Sequence, residues 1–315
     1  MRLYCEGLTE NSPVRLGQSI SRLEVSNVPA PFAVGRDISD SMSFVTAHGE
    51  PAIERFEFGE NWSRFLSLVD EDRIAEATAR LSELLGDISG KSFLDVGSGS
   101  GIHSLAALRL GASRVLSFDY DTKSVACTAE LKRRFAPMAN WQIEAGSILD
   151  EQYLRSRGKF DIVYAWGVLH HTGAMWKSFD MVTIPVAHTL MVAVYHDEGR
   201  KSRYWLTLKK LYSRSPLPIK KLLELVTFML TWGKAFIFKP RKAMKNWSTY
   251  SRKRGMSPWR DVVDWAGGYP CEFANAGEVF TFFHQRGFVL EALRTVNGLG
   301  LNEFVFRLQR RVVDN

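Results

Sequence analysis

Ser92-Phe93-Leu94-Asp95-Val96-Gly97-Ser98-Gly99-Ser100-Gly101-Ile102 is a short apolar run, interrupted by one acid and closed by three glycines at alternate positions. An apolar run of this length bounded by turn residues predicts a buried strand. The glycine turn lets backbone come close to a ligand, because no Cβ intervenes. The helical pattern Ile102–Leu110 follows, and its first turn offers unpaired N–H groups to the ligand's polar parts. A second predicted strand, Arg114–Phe118, ends at Asp119. A carboxylate there can accept hydrogen bonds from both hydroxyls of a ribose.

Working outward, further strands are predicted at Trp141–Glu144, Phe160–Ala165 and Thr189–Tyr195, with a helix at Thr122–Phe135. Such alternation predicts βαβ units and a parallel sheet. Phe288–Thr295 and Glu303–Leu308 predict two strands joined by Asn297-Gly298-Leu299-Gly300, which should pair antiparallel. Helical spacing of Ile74, Ala77, Leu81, Leu84 and Leu85 predicts a helix within Glu54–Leu85. Four regions result: an N-terminal arm or cap (1–53), a ligand-binding core (54–195), a basic helical insertion (196–273) and the end of the core (274–315).

The 315 residues are 45% hydrophobic, enough for an ordinary core. Cys5, Cys127 and Cys271 are widely separated, so no metal site or disulfide framework is predicted. The first residues carry no apolar signal-like stretch, and no long uncharged apolar run occurs, so a cytoplasmic protein is expected. Net charge is +7, but Arg200–Arg260 holds 17 Lys or Arg against the single acid Glu224. Such asymmetry predicts a surface that meets an anion. Three readings of this insertion stay open. It can be a lid over a small-molecule site, a helix resting on an anionic membrane, or a nucleic-acid surface with Trp247, Tyr250 and Trp259 among the basic residues. The third is the least expected.

A dinucleotide site would read G-x-G-x-x-G, whereas this turn reads G-x-G-x-G after Asp95. The shorter spacing leaves little room for a pyrophosphate. A bare turn without ligand is the remaining alternative. FLDVGSGSG, SFDYD, FDIVYAWGVLHHT and GFVLEAL…NEFVF together resemble the successive motifs of class I S-adenosylmethionine-dependent methyltransferases, over about Phe58 to Phe306. Within that class the chain looks most like the ubiquinone-biosynthesis-type small-molecule enzymes. The resemblance implies a Rossmann-like α/β fold with a seven-stranded, mostly parallel sheet whose last strand is antiparallel. It implies S-adenosylmethionine as cofactor, with Asp95, Gly97, Ser98, Gly99 and Gly101 at its methionine end. Asp119 would then meet the ribose and Ser147 with Ile148 the adenine, with Tyr120 and Trp166 as further cofactor-binding candidates. Two features depart from the pattern. Ile184-Pro185-Val186 replaces a Pro-Gly-Gly turn, and Ser147 stands where an acid is usual.

Ala165-Trp166-Gly167-Val168 replaces the Asn/Asp-Pro-Pro-aromatic sequence common to enzymes that methylate planar nitrogens. Oxygen is therefore the expected acceptor atom, in a small or glycan-like molecule, anionic or lipid-linked. Its proton needs a base, and His170, His171 and His196 are candidates near the sheet edge. Orienting the loop is the competing role for each. His284 is expected to be solvated or packed. Tyr195, Trp265 and Tyr269 are candidate acceptor-pocket walls, and Trp62 is a candidate cover over the cofactor. A non-catalytic cofactor-binding protein and an RNA methyltransferase are the alternative functions.

Overall fold

The computed structural model describes residues 14–15, 62, 66, 69–254, 258–296, 298 and 300–309. The expected arm over 1–53 therefore lies outside the described residues, apart from Val14–Arg15, which form a two-residue strand, β1. The other strands are β2 (Ser92–Val96), β3 (Arg114–Asp119), β4 (Trp141–Ala145), β5 (Phe160–Trp166), β6 (Val186–Tyr195), β7 (Phe288–Arg294) and β8 (Leu301–Leu308). They form one sheet in the order β1-β7-β8-β6-β5-β2-β3-β4. β2 to β6 run parallel, and β8 lies antiparallel between β6 and β7. The seven expected strands are thus present, and β1 adds to β7 at the edge.

Both faces of the sheet are buried, which is why its strands are continuous apolar runs and do not alternate with polar residues. Leu94, Val163, Leu190 and Val192 enter one core cluster, while Phe93, Ile162, Tyr164 and Met191 enter the other. The helices around the core are α1 (Glu71–Leu85), α2 (Ile102–Arg109), α3 (Thr122–Phe135), α4 (Glu151–Arg157) and α5 (Met175–Thr183). Asp70, Asp121 and Asp150 cap α1, α3 and α4 by accepting backbone N–H bonds.

One expectation changes, and the helical insertion proves to be broken into several pieces. β6 begins at Val186, immediately after Pro185, and not at Thr189. The apolar stretch Leu222–Phe238 is not one helix. It holds the end of α7 (Leu217–Phe228), a wider π turn over Met229–Gly233, and α8 (Lys234–Phe238). With α6 (Arg200–Arg214), α9 (Pro240–Arg254) and α10 (Pro258–Gly267), these fill the span between β6 and α11 (Ala276–His284). His284 is exposed and stacks on Phe280.

A buried ion cluster ties α1 to the antiparallel strand. The Glu303 carboxylate on β8 accepts from Arg80 on α1, from the Trp166 indole at 2.9 Å, and from Arg294 at 3.5 Å. Because Glu303 is almost wholly buried, removing Arg80 leaves a poorly compensated charge. Arg80→Ala should lower unfolding free energy by about 2 kcal/mol, read from chemical denaturation, since Arg80 is itself partly exposed and Trp166 and Arg294 still meet Glu303. Arg109→Ala, which breaks an exposed pair with Glu71, should change it by less than about 1 kcal/mol.

Candidate cofactor and acceptor site

The chain crosses from β4 on one side of β2 to β5 on the other. Ligands bind at such a crossover, beyond the carboxyl ends of the strands. The glycine turn leaves the end of β2 at this edge. Gly97 and Ser98 donate their N–H groups to the Phe118 carbonyl, at 2.8 and 3.1 Å. Gly97 has φ +67°, and a Cβ there would meet the Val168 side chain at 2.5 Å. Gly99 has φ +56°, and its Cβ would meet the Trp62 indole at 2.9 Å. Trp62 therefore lies against the turn, and it also packs on the core beside it. Gly101 caps α2, whose first turn faces the same edge.

Asp119 closes this turn from β3. Its Oδ2 accepts from the Gly99 N–H and its Oδ1 from the Asp121 N–H, both at 2.9 Å. Each carboxylate oxygen has a second lone-pair site, so two hydroxyls can still be received. Burial raises the Asp119 carboxyl to about 6, against the pull of its backbone donors.

Asp95 is held from behind. The Trp141 indole can only donate, and it reaches Ser117 Oγ at 2.7 Å. Ser117 must then donate to Ser104 Oγ at 2.6 Å, and Ser104 to Asp95 Oδ2 at 2.6 Å. All four side chains are buried. This relay has one direction, and it ends on a carboxylate that accepts. Burial, with a smaller contribution from Asp119, raises the Asp95 carboxyl to about 7. No sequence pattern marks the two serines and the tryptophan as connected.

Ser147 and Ile148 follow the end of β4, and Tyr120 follows the end of β3. Ile148 is buried, Ser147 Oγ accepts from the Leu149 N–H, and Tyr120 is exposed. The Trp166 indole N–H is engaged by Glu303, so only its ring remains for a ligand. His103, at 5.7 Å from that ring, is driven down to about 4 by burial and by Arg80.

Three histidines stand at the same edge in different states. His170 is fully buried, with neither ring nitrogen hydrogen-bonded, and packs against Tyr195 at 4.1 Å and His171 at 4.3 Å. Burial, with His171 and Lys209 nearby, holds it well below the usual imidazole range. His171 places Nδ1 2.7 Å from the Pro270 carbonyl oxygen. A carbonyl only accepts, so Nδ1 carries the proton and Nε2 the lone pair. Burial lowers this imidazole to about 4, so it is neutral near pH 7. His196 has the opposite tautomer. Asn302 Oδ1 accepts from the Val296 N–H, so its Nδ2 donates to His196 Nδ1 at 3.2 Å, and Nε2 carries the proton.

The insertion closes on these residues through α6 and α10. Trp205, Leu208, Tyr212 and Ala266 form its core, with Trp265 and Phe273 alongside. Trp265 meets Tyr195 edge-on at 5.4 Å, so these two wall candidates come together, while Tyr269 lies half-buried in the following turn. Sequence reading did not single out Lys209. Its ammonium is buried, donates to the Trp265 carbonyl at 2.6 Å, and lies 4.8 Å from the Trp265 ring centre. Among the described residues no carboxylate pairs with it.

Residues 80–175 match the family model of the ribosomal protein L11 methyltransferases. That span holds the glycine turn, Asp119, Ser147 and the His170-His171 loop. Over this span the chain is similar to the methyltransferases of that family. A ribosomal protein L11 methyltransferase of Xanthomonas campestris pv. campestris is 47% identical over 58 residues, 18% of this chain and 19% of that one. The Deinococcus radiodurans protein of the same name is 35% identical over 109 residues, 32% of this chain and 40% of that one. The chain thus spans well under half the length of these curated relatives. Among solved structures, the magnesium protoporphyrin IX methyltransferase of Synechocystis PCC 6803 with bound SAH aligns with a TM-score of 0.48 and 13% identity. The alignment covers 79% of this chain and 94% of that one. An O-methyltransferase family protein from Burkholderia thailandensis aligns with a TM-score of 0.48 and 9% identity, over 79% and 59% of the two chains.

Ser104→Ala removes the side-chain donor that favours the ionised Asp95, so the Asp95 carboxyl should titrate higher still. Calorimetry with S-adenosylhomocysteine should show affinity reduced about fivefold to tenfold at neutral pH. The same series should show a binding midpoint moved to higher pH, which simple loss of packing would not produce.

Proposed function

We propose that the protein transfers a methyl group from S-adenosylmethionine to an oxygen of a small or glycan-like anionic acceptor. The observation that carries this reading is the His171–Pro270 hydrogen bond. His170 is sealed and His196 carries its proton on Nε2, so of the three candidate histidines His171 is the half-buried one with its lone pair on Nε2.

The bound cofactor supplies a methyl group on a sulfonium, whose neutral thioether leaves without acid assistance. Asp95 with Gly97, Ser98, Gly99 and Gly101 holds the methionine end, and Asp119 takes the ribose hydroxyls. Ser147 and Ile148 border the adenine, and Tyr120 and the Trp166 ring stand beside the cofactor. The helices between Tyr195 and Ala274 form the acceptor lid. Tyr195, Trp265 and Tyr269 wall the acceptor, and alignment supplies most of the rate. His171 Nε2 takes the acceptor hydroxyl proton as the oxygen–carbon bond forms. His196, with its proton on Nε2, orients the acceptor as a donor. His170, sealed and unbonded, positions His171 through ring contact. Lys209 supports an acidic or phosphorylated acceptor, because its buried ammonium has no carboxylate in direct contact, only the more distant charges of Asp261 and Asp264, and so favours an incoming anion.

A protein acceptor is the second reading, favoured by the names of the L11 relatives. The family-model match, residues 80–175, lies outside α6 to α10, so it bears little on acceptor choice.

Label transfer from S-adenosylmethionine to acidic sugars, sugar phosphates and phenolic acids, run beside purified ribosomal protein L11, tests the two readings. Label in L11 alone would overturn the first. His171→Ala should lower kcat by about 100-fold while leaving S-adenosylhomocysteine affinity unchanged.

A pH series tests the carboxylates. Without ligand, Asp119 and Asp95 take up protons below about 6 and about 7. A cationic, hydroxyl-bearing ligand favours their ionised forms, so binding releases protons in this range. Cofactor affinity should be greatest above about pH 7 and fall as pH drops through both values. Calorimetry in two buffers of different ionisation enthalpy reads the released protons. Flat affinity between pH 5 and 8 would remove the two carboxylates from the binding site.

A further inference from the structure

Helix α7 is built inside out. Its buried side carries Glu224, only 2% exposed, and Thr227, while Leu222 (59% exposed), Leu225 and Met229 stand outward at helical spacing. The Tyr212 hydroxyl and Lys221 ammonium satisfy Glu224, so the acid is an intended part of the inner side. A helix on a globular core normally turns its apolar stripe inward. Here the stripe faces away, and it continues through the π turn. Ile237 (66% exposed), Phe238 (76% exposed) and Met244 extend it across α8 and α9. An exposed apolar area of this kind marks a surface that meets something apolar.

Charge identifies the class of partner. Lys221, Lys234, Lys239, Arg241, Lys242 and Lys245 are exposed on the same helices. The single acid of the Arg200–Arg260 span, Glu224, is turned inward, so the outer surface has no carboxylate of its own from this segment. Aliphatic residues flanked by lysine and arginine fit a headgroup layer over acyl chains. A single-stranded nucleic acid would instead need exposed aromatic platforms. Trp247 is not one, because it packs against Trp232 at 5.0 Å and Phe228 at 5.6 Å, and Tyr250 is half-buried and donates to Asp261. Trp259 and Phe238 are the exposed aromatics here, and the rest of the outward stripe is aliphatic or Met. No helix among the described residues is long and apolar enough to cross a membrane.

We propose that α7, α8 and α9 dock the protein on the surface of an anionic phospholipid bilayer, with Leu222, Leu225, Ile237 and Phe238 entering the interface. This surface lies on the outer side of the insertion, so it stands independently of the acceptor and of His171.

The test uses the full chain and phosphatidylcholine vesicles with and without phosphatidylglycerol, separated by flotation at low and high salt. Binding to the phosphatidylglycerol vesicles at low salt, weakened by salt, is expected. Ile237→Ser with Phe238→Ser should lower that partition by about tenfold or more. Leu222→Ser with Leu225→Ser should do the same. Lys239→Glu with Arg241→Glu should abolish the preference for anionic vesicles. All three variants should bind S-adenosylhomocysteine as the parent does, which excludes misfolding as the cause. Equal partition onto both vesicle types, or serine variants that float like the parent, would overturn the proposal. A parent that is dimeric in solution, binds no vesicles and becomes monomeric in the serine variants would also overturn it, assigning the face to a second copy of this chain.

Discussion

The Asp119 carboxylate is the point on which the donor half of the molecule is assembled. It receives one N–H from the glycine turn after β2 and one from the start of α3. Two strands and a helix therefore agree on the position of a single anionic group. The glycine turn bends back because Gly97 and Ser98 also bond the Phe118 carbonyl, one residue before that acid. The arrangement has a cost. Two carboxyls are buried close together, and both are raised from the usual carboxylate range. The folded state binds protons there that the unfolded chain does not, so their contribution to stability is full in acid and lost as pH rises through about 7. A ligand that satisfies both anions relieves the conflict, which is typical of sites whose function opposes stability.

The acceptor side is organised differently, by contacts between segments far apart in sequence. The loop after β5 is held by the segment that returns from the insertion. The Glu272 N–H donates to the His170 carbonyl, and the Glu272 carboxylate accepts the Met175 N–H at the start of α5. His171 joins the same segment through Pro270. Displacing α10 would therefore be felt at the imidazole without any change in the glycine turn. Lys209 adds a second link, since its ammonium reaches from α6 to a last-turn carbonyl of α10, where a cation suits the helix end.

The fold and the donor site were legible because strand, turn and helix follow one another within each βαβ unit. Gly97, Asp119 and the sheet edge needed only local pattern. The relay behind Asp95 was hidden, because it depends on register. Asp95 stands beside Ser117 in the β2–β3 ladder, and Trp141 reaches across from β4. The tautomers of His171 and His196 were hidden for a similar reason, as the partner of each lies about a hundred residues away. The π turn at Met229–Gly233 was invisible because residues around it are apolar on every side, so no periodicity could lose its phase. The inside-out helix was concealed too. Hydropathy shows where apolar residues are, and the inward acid becomes evident only when Tyr212 is seen to meet it.

The insertion leaves and rejoins the sheet through one doorway. His196 and Ala274 pair as neighbouring strand residues, Ala274 donates to the Tyr195 carbonyl, and Asp197 donates to that of Ala274. The ends of the excursion are thus fixed a hydrogen bond apart, whatever the segment between them does. In evolutionary terms this is a socket. A lineage could lengthen, shorten or exchange everything between Asp197 and Phe273 without disturbing β6, and so acquire a new clientele of acceptors while inheriting its methyl-donor machinery unchanged.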